Sequence, residues 1–214
     1  MKTLHVTHIP EMPSVEVSQL IKTTNRQHLD YVLWKKPVNV PVVSFSVLYN
    51  RQCIYLQYYV RESERRATVQ KTNGAVWEDS CVEFFISLDD RRSYFNFEFN
   101  SLGTKLAAFG TTRTKRRMLP VLVVDTIKTQ VDLLQMTPGN FEWNLFVAIP
   151  LTVFQQPMGF SLSGKNCLGN FYKCGDELKD PHFLSWSEIK SSEPDFHLPE
   201  YFNEIFFKPD TTRL

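Results

Sequence analysis

The sequence predicts an all-β protein, an antiparallel β-sandwich of jelly-roll type with a short N-terminal helical segment. Aromatic residues make up 14% of the chain, with 17 Phe and 8 Tyr, and such residues favour strands over helices. Short apolar runs recur with turn signals between them, which is typical of sandwiches. The 214 residues contain no internal repeat and no low-complexity segment, so we expect a single domain that spans 1–214.

The elements are predicted from these runs and from the signals that bound them. Ser14 is expected to cap a short helix through Ile21, and 27–33 could add a turn. The stretch 175–203 is predicted to be an ordered loop, and a loop of that length is more often functional than filler. Strands are predicted at 43–49, 53–60, 81–88, 94–100, 121–124, 129–136, 141–149, 167–174 and 204–208.

Charge and hydropathy exclude several function classes. With 24 Lys and Arg against 23 Asp and Glu, the net charge is +1, so neither nucleic acid nor an acidic membrane is expected as a partner. The one basic run, formed by Arg113, Lys115, Arg116 and Arg117, is predicted to be a solvated hairpin tip. The start of the chain has no apolar signal-peptide core, and no window approaches transmembrane length. As written, the sequence predicts a cytoplasmic protein. A chain trimmed of its leader would look the same, and in that case the protein would be extracellular or periplasmic.

The cysteines and histidines show no spacing that is typical of a metal site or a catalytic triad. Cys53, Cys81, Cys167 and Cys174 form no CxxC pair, and most lie in apolar runs, so buried free thiols are expected rather than a disulfide framework. His5, His8, His28, His182 and His197 are scattered, and the two in the long loop are predicted to be structural.

The alternation of side chains along a strand divides the predicted strands into a core face and an opposite face. The core sets are Val82, Phe84, Ile86 and Leu88 in one strand, and Phe95, Phe97 and Phe99 in the next. The opposite sets are Cys81, Glu83, Phe85 and Ser87, then Tyr94, Asn96, Glu98 and Asn100. The five-residue connection 89–93 predicts a register that places Phe84 opposite Phe97 and Glu83 opposite Glu98. In 167–174, Asn170 and Tyr172 fall on the same opposite face.

That face carries the side chains that sugar recognition needs. Sugar hydroxyls require planar hydrogen-bonding partners, and the C–H face of the ring requires an aromatic platform. Unpaired buried polar groups cost about 1–3 kcal/mol each, which gives such a site its selectivity. The residues that fit are Trp77, Glu83, Asn96, Asn100, Asn170 and Tyr172. The alternative is that these residues only hydrogen-bond to one another beneath a covering loop.

A family resemblance supports the sugar-binding interpretation. The segments VWEDSCVEFFISLD, YFNFEFNSLGTKLAA, FEWNLFVAIPL, GNFYKCGD, LSWSE and FHLPEYFNEIFF follow one another in that order. In order and spacing they resemble the family 9 carbohydrate-binding modules, and more closely the stand-alone family-9-like proteins of polysaccharide-degrading bacteria. The match runs from Val43 to Lys208.

The resemblance implies a non-catalytic sandwich that binds an oligosaccharide or polysaccharide, classically at a chain end held between two aromatic rings. Trp77 and Glu83 fall on the family's first tryptophan and its glutamate, Asn170 falls near its asparagine, and Lys105 stands about where a basic residue is expected. Tyr172 and Trp186 are the candidates for the second aromatic wall. The predicted ligand-binding set is therefore Trp77, Glu83, Asn96, Asn100, Lys105, Asn170, Tyr172 and Trp186.

Other functions stay open at this point. Glu83 and Glu98, as cross-strand neighbours, could form the close carboxylate pair of a retaining glycosidase. The sandwich plan also resembles DOMON-type domains, some of which hold haem, for which Met118, Met136 and Met158 would be the methionines to consider. The oxygen-rich GDELKD at 175–180 could hold the structural Ca²⁺ that family members carry, or it could be a solvated acidic loop. Trp143 is expected to pack in the core, and Trp34 is expected to cover one end of the sandwich.

Overall fold

In the computed structural model, residues 2–211 are described. Two short α-helices occur, α1 (Ser14–Leu20) and α2 (Val121–Val124), together with 3-10 turns at Ile21–Thr23, Val76–Glu78, Leu151–Phe154 and Pro199–Tyr201. The strands are β1 (Thr3–His8), β2 (Gln27–His28), β3 (Tyr31–Val32), β4 (Val42–Tyr49), β5 (Cys53–Glu62), β6 (Cys81–Ser87), β7 (Tyr94–Asn100), β8 (Lys105–Gly110), β9 (Arg116–Met118), β10 (Lys128–Thr137), β11 (Asn140–Pro150), β12 (Asn166–Cys174), β13 (Leu184–Ser185) and β14 (Asn203–Phe207). Within this part of the chain, no helix has the length and apolar character needed to cross a bilayer.

The strands form one curled sheet whose two halves pack face to face. Their order is β10-β11-β5-β4-β1-β14-β12-β6-β7-β8-β9. Strand β1 pairs in parallel with both β4 and β14, so it joins the two halves, whereas the other pairs along this order are antiparallel. The β-sandwich prediction is confirmed, with the correction that the sheet is mixed because of β1.

Aromatic rings fill the space between the halves. Phe45 of β4 stacks on Phe171 of β12 with ring centroids 3.8 Å apart, and Phe84 stacks on Phe171 at 4.8 Å. The hydroxyl of Tyr58 in β5 donates to the backbone oxygen of Glu83 in β6 at 2.8 Å, which ties the two halves together. Trp143 is fully buried in this core, as its strand parity predicts.

The predicted register of β6 against β7 is confirmed. Phe84 pairs with Phe97, and Glu83 pairs with Glu98. Asp89 holds the connecting turn because its carboxylate accepts hydrogen bonds from the Ser93 backbone N–H and hydroxyl. The core phenylalanines therefore face inward together, and both glutamates point to the outer face.

Local predictions fail where a short apolar run carries too little information. The run 121–124, predicted as a strand, is α2, because Pro120 precedes it and the carbonyl of Pro120 accepts from the N–H groups of Val123 and Val124. The segment 27–33, predicted to be a turn, contains β2 and β3. Strands β1, β8 and β9 were not predicted, since they are short or mix polar and apolar residues.

The outer face of β6, β7 and β12 is covered rather than open to solvent. The loop 175–203 crosses it, and within this loop β13 pairs with β12 and with β3. A second buried cluster lies beneath the loop. It comprises Leu33, Val76, Cys81, Phe85, Tyr94, Leu106, Tyr172, Cys174, Ile189, Phe196 and Phe202. The covering loop that the sequence left as an alternative is therefore present over most of this face, and what remains open beside Trp77 is a recess.

A buried polar group anchors the start of this loop. Lys173 Nζ lies 2.9 Å from Glu62 Oε2 and 2.7 Å from His182 Nε2, and all three side chains are buried. Trp143 Nε1 donates to the other Glu62 oxygen at 2.7 Å. Because removal of one member would leave a buried charge or dipole unpaired, the group fixes β5, β12 and the loop relative to one another.

This group predicts a specific pH dependence of stability. Burial, reinforced by the Lys173 charge, lowers the pKa of His182 from 6.5 to about 2. As pH falls below 6.5, His182 binds a proton in the unfolded chain but stays neutral in the folded chain. The contribution of neutral His182 to the free energy of unfolding is therefore fully present above pH 6.5. It is lost on acidification, at up to about 1.4 kcal/mol per pH unit. The variant His182→Gln has no group that titrates at this position, so its stability does not fall with pH for this reason. The stability difference between wild type and His182→Gln should therefore shrink between about pH 7 and about pH 5, as measured by urea unfolding. A difference independent of pH would mean that His182 titrates as an exposed histidine.

Candidate functional site

The recess left open by the covering loop is a cavity of about 220 Å³. Its floor is the outer face of β6 and β7, and its walls come from the loops around them. It is lined by Trp34, Trp77, Glu83, Glu98, Arg113, Arg116, Cys174, Asp176, Phe183, Pro194, Asp195, Phe196 and His197. Larger hollows of about 380, 410 and 460 Å³ occur elsewhere on the described surface, but none of them has a tryptophan in its wall.

The floor carries two buried carboxylates. Glu83 is 3% exposed and Glu98 is 2% exposed, and their strand positions are directly opposite each other. One Glu83 oxygen accepts from the Cys174 thiol at 3.0 Å. One Glu98 oxygen accepts from the Asn96 amide at 2.9 Å and from Arg116 at 3.2 Å, while its other oxygen has no hydrogen-bond partner. A buried acceptor without a partner is costly, so a ligand that donates to Glu98 Oε2 would gain about 1–3 kcal/mol.

The two carboxylates hold protons differently. Burial, and next the charge of Glu98, raises the pKa of Glu83 well above its usual range. Burial also raises the pKa of Glu98, but the neighbouring Arg116 guanidinium opposes that shift. Of the two carboxyl groups, Glu83 is therefore the one that holds a proton more readily, and Arg116 favours the charged form of Glu98.

One tryptophan of the wall is held in a strained backbone. Trp34 follows β3 and has φ of 55°, in the left-handed region that bulky residues rarely adopt. Such a conformation costs about 1–3 kcal/mol and persists only where the surroundings enforce it. Here the indole N–H donates to the Ser191 carbonyl at 3.0 Å, and the ring contacts Phe183 and Phe196.

The other tryptophan is fixed through its neighbour Asp79. Trp77 lies in the 3-10 turn Val76–Glu78, directly before β6. The buried Asp79 carboxylate accepts from the backbone N–H groups of Thr68 and Val69 and from the Asn100 amide, at 2.8–2.9 Å. Burial alone would raise the pKa of Asp79, but these hydrogen bonds outweigh it and hold the pKa below its usual range. Asn100 therefore positions the segment that bears Trp77 and does not line the cavity.

The basic side chains of the cavity are Arg113 and Arg116, not Lys105. Lys105 Nζ donates to the Ile127 carbonyl at 2.7 Å and lies outside the cavity. Arg116 begins β9 and its guanidinium pairs with Glu98, and Arg113 lies in the turn before β9. The prediction that this basic run is only a solvated hairpin tip is wrong for Arg116, which is partly buried and paired with Glu98. Arg113, Lys115 and Arg117 are exposed, although Arg113 also lines the cavity.

The remaining predicted residues support the cavity from beneath. Asn96 is fully buried and orients Glu98. Asn170 accepts from the Ser187 N–H at 2.9 Å and so ties the loop to β12. Tyr172 stacks on Phe196 with centroids 4.2 Å apart and donates to its carbonyl, which places Phe196 in the wall.

Trp186, predicted as a possible second aromatic wall, lies in the sandwich core. It is fully buried and packs edge-on against Phe45 and Phe171. With no exposed ring face it cannot stack on a ligand in this conformation, and Tyr172 is equally buried. Trp34, predicted only to cover one end of the sandwich, is the second tryptophan of the cavity, together with Trp77.

Histidine and the loop acids also have defined places. His197 lines the cavity, and its Nδ1 lies 3.0 Å from the Tyr94 hydroxyl. Burial, with the charges of Arg116 and Arg113, lowers the pKa of His197 to about 3, so the ring is neutral.

Of the acids in 175–180, Asp176 lines the cavity while Asp180 accepts from the Val38 N–H at 2.6 Å. In the described chain they do not converge as a calcium site would require.

The methionines considered for haem are all exposed. Met118, Met136 and Met158 lie at the surface, so they do not form the apolar wall that an axial haem ligand needs.

Comparison with known proteins gives a consistent family and fold. A candidate carbohydrate-binding protein of Bacteroides uniformis ATCC 8492 is 38% identical, with 97% of this chain and 99% of that chain covered and a TM-score of 0.88. A family 9 carbohydrate-binding module of Caldicellulosiruptor kristjanssonii, solved with glucose, is 12% identical, with 100% and 99% covered and a TM-score of 0.62. The same organism's module solved with cellotriose is 12% identical, with 99% and 96% covered and a TM-score of 0.67. No protein of curated function matches the sequence significantly.

The family model described as carbohydrate-binding family 9 matches residues 15–207, which is most of the chain. This match includes both carboxylates of the floor and both tryptophans of the wall. The chain belongs to carbohydrate-binding family 9.

Proposed function

We propose that the cavity binds one terminal unit of a saccharide and that the protein does not hydrolyse it. The observation that carries this proposal is the combination of two wall tryptophans with two buried floor carboxylates, one of which keeps an unpartnered oxygen. Family membership supports it, as do the related modules that were solved with glucose and cellotriose.

Each part of the cavity matches a part of a sugar. The tryptophan faces of Trp34 and Trp77 suit the C–H surfaces of a pyranose ring, because both are flat and apolar. Glu98 can accept from a hydroxyl through its unpartnered oxygen, and Glu83, beside it on the floor, can hydrogen-bond to another. Arg113 at the mouth adds donors without closing the entrance.

The size of the cavity favours a chain end. At about 220 Å³ it is smaller than the roughly 300–1,000 Å³ of pockets that hold drug-sized molecules. Its floor is closed by β6 and β7, so an unbranched glycan cannot pass through it. We therefore propose that a terminal residue enters and that the rest of the oligosaccharide or polysaccharide extends outward. A role in polysaccharide degradation fits this form of recognition.

The arrangement of the carboxylates supports binding rather than hydrolysis. A retaining glycosidase places its two carboxylates on opposite sides of the scissile bond. Glu83 and Glu98 are instead cross-strand neighbours on one floor, and Glu98 is already engaged by Asn96 and Arg116. Both therefore face the same side of any ring held above them.

Removing either wall tryptophan should weaken binding strongly without unfolding the protein. In titration calorimetry against glucose, cellotriose and a panel of other oligosaccharides, Trp77→Ala and Trp34→Ala should each weaken the best ligand at least about tenfold, or about 1.4 kcal/mol. The melting temperature of Trp77→Ala should stay nearly unchanged, because its ring is partly exposed. Tyr59→Ala is the matched control, since Tyr59 is a half-buried aromatic residue that lines a different hollow. Equal loss in the control, or unfolding of both tryptophan variants, would contradict the proposal.

The protein should release no aglycone from aryl glycosides. We expect wild type and Glu83→Gln to give the same background rate in a continuous absorbance assay near neutral pH, because neither carboxylate is placed for bond cleavage. Calorimetry on the same samples confirms that the wild type is active in binding. Aglycone release by wild type that disappears in Glu83→Gln would make this protein a hydrolase.

A further inference from the structure

Three metal-ligating side chains meet beneath the cavity. Cys81 and Glu83 are two residues apart on β6, so their side chains share a face, and Cys174 on β12 pairs directly opposite Cys81. The two sulfur atoms and one carboxylate oxygen lie within 4.8 Å of one another. Within residues 2–211 this is the one group of three or more such side chains that is close enough to hold a metal ion.

The spacing is near that of a tetrahedral zinc site. Zn–S bonds of about 2.3 Å and Zn–O bonds of about 2.0–2.2 Å separate neighbouring ligand atoms by about 3.6–3.8 Å. The Cys174 sulfur and a Glu83 oxygen are already 3.0 Å apart, so side-chain movements on the order of 1 Å would complete the geometry. All three residues lie on paired strands of the sheet, and rigid elements hold metal ligands in place better than loops do.

The donor set selects the kind of metal. Two thiolates with one carboxylate favour a thiophilic ion such as Zn²⁺, whereas Ca²⁺ and Mg²⁺ prefer sites built only of oxygen. The site is therefore different from the calcium site that the family resemblance implied for 175–180. Sequence spacing gave no hint of it, because Cys81 and Cys174 are distant in sequence and meet only through the pairing of β6 with β12.

The cavity gives a metal ion a path from solvent to these side chains and leaves room for a fourth ligand of the metal. Glu83 and Cys174 line it, so an ion can reach the ligands from solvent although all three side chains are buried. The carboxylates of Glu98 and Asp176 in the same cavity contribute negative charge beside the site. Arg116, one of the two arginines that line the cavity, is already paired with Glu98.

We propose that Cys81, Cys174 and Glu83 bind one Zn²⁺ ion, with its fourth coordination position open to the cavity. Each thiol gives its proton to solvent as the metal–sulfur bond forms, Glu83 likewise releases any proton it holds as it binds through an oxygen, and the oxidation state of the metal stays +2 throughout. The proposal goes beyond sugar binding and does not depend on it, since the two cysteines have no part in the proposed sugar contacts. The two sites share Glu83, which would contact either the ion or a sugar hydroxyl.

Cobalt provides a direct probe of thiolate ligation. Tag-free protein, kept reduced with a phosphine and stripped of metal, is titrated with Co²⁺ and then with Zn²⁺. We expect a thiolate-to-cobalt charge-transfer band that saturates at one ion per chain and disappears when Zn²⁺ displaces the cobalt. Zn²⁺ should also raise the melting temperature, because it binds only the folded arrangement of ligands.

Variants separate this site from the other thiols. Cys174→Ser should abolish the band, and Glu83→Gln, which keeps both thiols, should weaken Zn²⁺ binding by about tenfold or more. The double variant Cys53→Ser/Cys167→Ser removes the remaining cysteines and should leave the band unchanged. Thermal unfolding of each metal-free variant shows whether it is folded. If Cys174→Ser does not fold, the Zn²⁺ affinity of Glu83→Gln is the test of the proposal.

Three results would overturn the proposal. They are no charge-transfer band in folded wild type, a band that survives Cys174→Ser, and a band lost in the Cys53→Ser/Cys167→Ser control. A protein that binds no sugar would leave all of these readouts intact, so failure of the sugar proposal is distinguishable from failure of this one.

Discussion

The register of β6 against β7 is the constraint on which the rest of the molecule depends. Because side chains alternate, one choice of pairing sends every phenylalanine of these strands into the core and sets Glu83 beside Glu98 on the outer face. A slip of one residue would bury both glutamates in the sandwich and expose the phenylalanines. The stability of the hydrophobic core therefore enforces an energetically unfavourable carboxylate pair, which the cavity then uses. Arg116 and Asn96 reduce the cost at Glu98, and the hydrogen bond from the Cys174 thiol reduces it at Glu83.

The covering loop converts a sheet face into a site. Most of the outer face is buried by 175–203, and the residues beneath the loop act as its anchors. Asn170 binds the loop backbone, Tyr172 carries Phe196, and the Lys173 group fixes the point where the loop leaves β12. The open part of the face is small because only the region above the two glutamates is left uncovered. Some polar residues of the outer face hold the loop and others line the cavity. The face therefore carries more polar residues than a ligand in the cavity could contact.

Much of the fold could be predicted from the sequence, because strand alternation and turn signals are local. Of the predicted ligand-binding set, Trp77 and Glu83 line the cavity. Both lie in or next to one strand and were found by the same local logic, supported by the family resemblance. Trp34 and Arg116 could not be found in this way, since both reach the cavity only through tertiary packing of segments that look like surface. The prediction that Trp186 forms a wall of the site was wrong because local sequence does not show where a loop packs. A tryptophan in a loop sequence gives no sign that the loop carries it into the core.

The account makes one central claim, that a sugar end enters between Trp34 and Trp77 above the paired glutamates. A crystal structure of the protein with the tightest-binding saccharide from a glycan array tests it most directly. The predicted result is a terminal ring inside the cavity, stacked on a tryptophan, with a hydroxyl within hydrogen-bond distance of Glu98 Oε2. A saccharide bound elsewhere, for example in the hollow beside Tyr59, with this cavity empty, would contradict the account.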